Sequence, residues 1–195
     1  MRKQFQIIII TPEDFQRKEI LSIKKIFAAG LKTLHLRKPK ASEEELREFL
    51  KNIPKGLYKH IVIHNHFTLI SEFKLKGAHL PENARRLGTR NKFKMVSSSF
   101  HSVKSLQQSR RKYEYVFLSP IFESISKTGY KSNFDLENLK PFLKKHKNVI
   151  ALGGVSDKNI LSVKQTGFYG AATIGYIWEG KNPASNYKKL VLKIK

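Results

Sequence analysis

Apolar residues recur along the chain at two spacings, and the two alternate. Phe5 to Ile10 is a near-continuous β-branched run, the pattern of a strand buried on both faces. Thr11-Pro12-Glu13 then reads as a helix start, with Thr11 as N-cap and Pro12 in the first turn. Ile20, Ile23 and Phe27 supply a stripe at helical spacing, and Gly30 closes it. Leu31 to Leu36 predicts a second strand, and Ser42-Glu43-Glu44-Glu45 a second helix opened by a capping box. Lys59 to His64 predicts a third strand, followed by a short helical stretch around Phe67 to Phe73.

The second half keeps the rhythm. Strands are predicted at Gly77 to Leu80, Met95 to Ser98, Tyr115 to Leu118, Val149 to Leu152 and Gly170 to Ile174. Helices are predicted at Ser102 to Arg111, Phe134 to His146, Ser156 to Gln165 (capped by Ser156, closed by Gly167) and Tyr187 to Leu192. About eight βα units result, the count of a closed parallel barrel. The expected class is therefore α/β, a small (βα)8 TIM barrel forming one domain over residues 1–195. An open doubly wound sheet competes, but no Gly-rich dinucleotide turn follows the first strand.

Composition narrows the chemistry. The 195 residues include no cysteine, which excludes disulfides, Cys-ligated zinc, iron–sulfur clusters and thiol catalysis. Lys and Arg number 38 against 15 Asp and Glu, a formal net charge of +23. That field attracts anionic partners. The longest apolar run is too short for a membrane span or a signal peptide, so a cytoplasmic protein with no membrane partner is expected. A homo-oligomer is compatible with the sequence.

Polar groups collect where predicted strands end, the rim on which barrel chemistry assembles. They include His35 and Arg37-Lys38, His64-Asn65-His66, His79, Ser97 to His101, Ser119-Pro120, Gly153-Gly154 and Ile174-Gly175. Gly153-Gly154 and Ile174-Gly175 follow the seventh and eighth strands, where barrels commonly hold phosphate on backbone amides. Ser124, Ser126 and Lys127 place two hydroxyls and a cation in one loop, either a grip on phosphate oxygens or ordinary solvated polarity. His101 stands just before a helix, as a proton-transfer group or a backbone-bonded histidine. His64, His66, His35 and His79 could hold a transition metal, but no carboxylate accompanies them and no metal is expected.

The stretches HLRKP, IHNH, GAHLPE, SFHS, YVFLSPIFESISKTG, ALGGV and GFYGAATIGYI, in that order, resemble the thiamine phosphate synthase/TenI superfamily along nearly the whole chain. The resemblance implies a small (βα)8 barrel and a phosphorylated small-molecule substrate, thiazole phosphate carboxylate. Two activities follow from it. A synthase joins hydroxymethylpyrimidine pyrophosphate to the thiazole and releases pyrophosphate with magnesium. A TenI-type isomerase moves a proton on the thiazole to give its aromatic tautomer, without cofactor. Arg37 matches the family arginine, whereas the synthase lysine two places on falls on Pro39, with Lys38 or Lys40 as substitutes. Synthase carboxylates are replaced: Asn-Asp becomes Asn65-His66, and Gly-Gln-x-Asp becomes Pro81-Glu82-Asn83-Ala84. The TenI catalytic histidine matches His101, and His35 matches the histidine of its H-x-R segment.

By that resemblance the tautomerase is the leading expectation. His101 and His35 would be catalytic, and Arg37, Lys38, Asn65, Ser124, Ser126, Lys127, Gly153, Gly154, Ile174 and Gly175 would bind substrate. A divergent magnesium-dependent synthase is the alternative. A catalytically inactive, polyanion-binding barrel is the third, although no nucleic-acid motif or stacking array accompanies the charge.

Overall fold

The computed structural model describes residues 4–82, 93–109, 112–123 and 134–195. Eight parallel strands close into a barrel in chain order. They are β1 (Gln6–Ile10), β2 (Leu34–Leu36), β3 (Ile61–Ile63), β4 (Gly77–Leu80), β5 (Val96–Phe100), β6 (Tyr115–Leu118), β7 (Val149–Leu152) and β8 (Gly170–Thr173). Closure is made by β1 against β8, with Gln6 opposite Gly170 and Ile9 opposite Thr173. Helices between and after the strands are α1 (Glu19–Ala28), α2 (Glu43–Lys51), α3 (Leu69–Phe73), α4 (Val103–Gln107), α5 (Leu136–Lys145), α6 (Ile160–Thr166), α7 (Gly175–Trp178) and α8 (Pro183–Ile194). The expected TIM barrel is the observed one. None of the described helices is long and apolar enough to cross a membrane.

Strand parity sorts the side chains, since successive residues point to opposite faces. Ile7, Ile9, Leu34, Leu36, Ile61 and Ile63 face outward into the layer shared with the helices. Ile8, Ile10, Val62, Tyr115, Phe117, Ile150 and Ala172 face inward and form a separate cluster inside the barrel. His35 lies between Leu34 and Leu36, and His79 between Ala78 and Leu80, so both imidazoles take inward positions. His64 follows outward Ile63 and turns inward likewise.

Several boundaries differ from the sequence expectation, each for a physical reason. Thr11 does not cap a helix. Its buried hydroxyl accepts from the Arg37 amide (2.9 Å) and donates to the Arg37 carbonyl (3.2 Å), clipping the end of β1 to that of β2. α1 therefore starts seven residues later than expected, at Glu19. Nor does Ser156 cap α6. It forms a turn in which Asn159 Oδ1 accepts from the Ser156 amide, and the helix begins at Ile160. β5 runs on to Phe100, two residues past the predicted end at Ser98, because Ser99 and Phe100 pair with Phe117 and Leu118 of β6. The capping box at Ser42 forms as expected, with Ser42 and Glu45 exchanging bonds. Ser42→Ala is expected to lower stability by about 1 kcal/mol, read from the urea midpoint.

Candidate functional site

His101 follows the last residue of β5 and its ring is exposed on the C-terminal rim. Its Nδ1–H donates to the carbonyl oxygen of Ser119 at 3.0 Å. A carbonyl can only accept, so this bond puts the proton of the neutral ring on Nδ1 and leaves Nε2 as the proton acceptor. Ser119 ends the β6 ladder and precedes Pro120 through a cis peptide.

The segment after β6 links His101 to the glycine turn. Gly153 and Gly154 have φ of +95° and +62°, in the left-handed region that side chains disfavour. A Cβ on Gly153 would stand 2.8 Å from Pro120 Cα, and one on Gly154 2.3 Å from the Glu123 carbonyl oxygen. Phe122 donates to the Gly153 carbonyl at 3.1 Å, and Asn159 Nδ2 holds that of Gly154 at 2.9 Å. The carbonyls are thus taken, while the amides of Gly153 and Gly154 donate to no acceptor among the described residues. Thr173 Oγ1 donates to the Val155 carbonyl (2.9 Å), tying the end of β8 to this turn. Burial first and then the Asp157 charge push the Tyr176 phenol up to about 12. Ile174 and Gly175 lie half-buried just after the Thr173 tie, at the start of α7. His101, the glycine turn and Ile174-Gly175 thus share one braced rim.

Arg37 stands half-exposed at the end of β2, its Nη1 2.7 Å from Glu13 Oε1. Asn65 Nδ2 donates to the Lys38 carbonyl (3.1 Å), while its buried Oδ1 has no partner among the described residues. Ser124, Ser126 and Lys127 lie outside the described residues.

Two expected site residues occupy other places. Lys38 is fully buried, and its Nζ donates to the carbonyls of Pro12 (2.9 Å) and Asp14 (2.9 Å) and to Glu19 Oε2 (2.8 Å). An ammonium has three N–H donors, so none remains for a substrate. Phe15 and Phe49 cover it at 4.9 and 5.6 Å. Lys38 secures the loop between β1 and α1 and does not replace the lysine missing at Pro39. Lys40 is exposed between β2 and α2, 3.9 Å from Asp14.

His35 is the second correction. It is fully buried and lies beneath the rim, because its β2 register sets it level with Val62, one step below His64. Its Nε2 meets the Tyr115 hydroxyl at 2.6 Å and its Nδ1 meets His64 Nε2 at 2.9 Å. The ring nitrogens of His79 meet Ser97 Oγ (2.9 Å) and Ser99 Oγ (3.0 Å). His35 is therefore a positioning group in a polar core, not a group at the reacting atoms.

Burial, aided by the neighbouring imidazole of His79, holds His35 and His64 well below the ordinary histidine range. Both are neutral in the fold at neutral pH, whereas the unfolded chain protonates them as pH falls past about 6.5. Stability is then level in this respect above about pH 6.5 and declines below it. Each of the two can cost at most about 1.4 kcal/mol per pH unit below that point. Denaturant titrations of wild type and His64→Asn between pH 7 and 5 check this; the variant should show the shallower decline.

The three core imidazoles bring ligand-capable nitrogens within 4.8 Å of one another. His64 and His79 are stacked, with centroids 4.3 Å apart and planes 22° off parallel, and Phe117 covers the other face of His79. Lone pairs lie in the ring planes, so stacked rings aim side by side rather than at one point. As arranged, the rings form a hydrogen-bonded stack. The positions at which the resembled synthase carries magnesium carboxylates fit no better. His66 Nε2–H donates to the Ala41 carbonyl at 2.8 Å, facing α2. Glu82, exposed beyond β4, and the Asn65 amide oxygen are the oxygen donors these positions offer, one carboxylate where the resembled synthase has two. Magnesium binds through hard oxygen ligands, chiefly carboxylates and phosphates, and this set does not fit it.

Sequence reasoning did not identify Tyr115, Ser97 and Ser99 as partners of the histidines, although strand parity could have found them.

Known proteins give the fold and site a family. The family model for thiamine monophosphate synthase (TMP-TENI) matches residues 7–177. A thiamine-phosphate synthase of Desulfitobacterium hafniense is 26% identical over 194 residues, covering 94% of this chain and 91% of that protein. The crystal structure of thiamine phosphate pyrophosphorylase from Bacteroides thetaiotaomicron superposes with a TM-score of 0.83 at 33% identity, covering 97% of each chain. Thiamine phosphate pyrophosphorylase from Pyrococcus furiosus, at 18% identity and a TM-score of 0.81, shares the fold over 99% of this chain and 96% of its own. With a match over most of its length and a barrel of the same form, this chain belongs to the thiamine monophosphate synthase/TenI family of thiamine biosynthesis.

Proposed function

We propose that the protein is a thiazole tautomerase: a metal-independent isomerase that converts a thiazole phosphate carboxylate to its aromatic tautomer. The observation that carries this reading is the fixed tautomer of His101, whose Nδ1–H on the Ser119 carbonyl presents Nε2 to the rim as a base. Nε2 takes a proton from the ring carbon, and the resulting imidazolium returns one to the exocyclic carbon. Charge and atoms balance without a co-reactant, and aromatisation supplies the driving force. The amides of Gly153, Gly154 and Gly175 hold the phosphate, and Arg37 faces the carboxylate. Phosphate subsites after the last two strands are common in barrels.

In deuterium oxide the aromatic product should carry one deuterium at the exocyclic carbon, detected by proton NMR. Conversion no faster than in buffer would overturn the reading. Gly154→Ala should raise KM about tenfold with less effect on kcat. Its Cβ displaces the backbone of residues 122 and 123 and costs the phosphate a charged hydrogen bond, worth about 1.5–3 kcal/mol.

A second reading is the synthase reaction, favoured by the names of the related proteins. It requires magnesium-dependent release of pyrophosphate from hydroxymethylpyrimidine pyrophosphate and the thiazole. The residues at Asn65, His66 and Glu82 weigh against it.

A further inference from the structure

At the opposite end of the barrel a cavity of about 540 Å³ opens among residues that begin or just precede strands, including Gln6, Thr33, Lys76, Tyr115 and Tyr169. It is thus the N-terminal mouth, the end that barrel enzymes do not use for chemistry. Lys59, Lys74, Lys76 and Lys94 line it, and Glu114 is the one carboxylate among its lining residues. Lys76 is half-buried, with its Nζ donating to Thr33 Oγ1 at 2.6 Å, and no carboxylate pairs with it among the described residues. A partly desolvated ammonium held by a neutral hydroxyl is an incomplete arrangement, since buried charge is stabilised by a counter-charge. Burial accordingly lowers its proton affinity, against the pull of Glu114. Deeper in, Ile8, Met95 and Ile150 make an apolar floor, with the rings of Tyr115 and Tyr169 beside it.

We propose that this mouth is a second anion-binding site, taking a small molecule whose di- or triphosphate group sits on the lysine ring. A single phosphate would leave most of the volume and most of the lysines unused. The Tyr115 hydroxyl bonds His35, which bonds His64, so the site touches the polar core that underlies the rim.

Inorganic tripolyphosphate is the probe, titrated into the full-length protein by calorimetry at fixed ionic strength. Lys76→Gln/Lys94→Gln should weaken binding at least about tenfold, the scale of a lost charged hydrogen bond, and leave KM for the thiazole phosphate unchanged. A control that removes the same charge elsewhere, Lys188→Gln/Lys189→Gln on α8, should leave tripolyphosphate binding nearly intact. Equal binding by wild type and the mouth variant would overturn the proposal. So would equal losses in the two variants, which would mark diffuse attraction to a basic surface. Because thiazole turnover is measured separately, failure here is distinguishable from failure of the tautomerase reading.

Discussion

In a His101→Asn variant, turnover of the thiazole phosphate carboxylate is expected to fall by about 10²–10⁴-fold, the range of positioned acid–base catalysis. KM should change little, because the proposed phosphate site is the backbone amides after β7 and β8 and not this ring. Asparagine is close in size and can keep a bond to the Ser119 carbonyl, but it offers no nitrogen that accepts and returns a proton. The ring is exposed and, among the described residues, hydrogen-bonds only to Ser119, so the unfolding midpoint should move little. Loss of kcat with retained KM and stability separates proton transfer from a structural role. Wild-type-like kcat in the folded variant would remove His101 from the chemistry.

Lys38→Met is expected to destabilise the protein by about 3–5 kcal/mol, the cost of leaving one partner of a buried ion pair uncompensated. Burial pushes Glu19 up and Lys38 down, so desolvation opposes the pair even while it is intact. Glu19 Oε1 has no partner among the described residues, which adds to that cost. Replacing both partners, Lys38→Met with Glu19→Leu, should recover much of the loss, since an apolar pair of similar volume removes the desolvation penalty. Chemical denaturation of the two singles and the double measures the coupling. If instead Lys38→Met raised KM for the thiazole without lowering stability, the lysine would belong to the binding site after all.

These two residues show what could be read from the chain and what could not. The barrel was legible because β-branched runs, a capping box at Ser42 and a C-terminal glycine at Gly167 are local signals that tertiary packing did not override. His101 and the Gly153-Gly154 turn were legible too, since their placement follows from being just past a strand. Lys38 was misread because its fate depends on Glu19 and on the carbonyls of Pro12 and Asp14, all across a loop read as helix. That loop was misread in turn because Thr11-Pro12-Glu13 satisfies the local rules for a helix start, while the Thr11 hydroxyl is held by Arg37 on another strand. His35 sits beneath the rim by strand register, which the motif alone does not reveal. The lysine-ringed mouth was invisible for a similar reason. Lys59, Lys76 and Lys94 are scattered in sequence and meet only when the strands close.

The most direct test gives EDTA-treated protein the unaromatised thiazole phosphate carboxylate alone, without pyrimidine substrate, and follows the aromatic product over time. The account predicts full conversion at a rate that added magnesium does not raise. No conversion under these conditions, with pyrophosphate released only once magnesium and hydroxymethylpyrimidine pyrophosphate are both supplied, would contradict it.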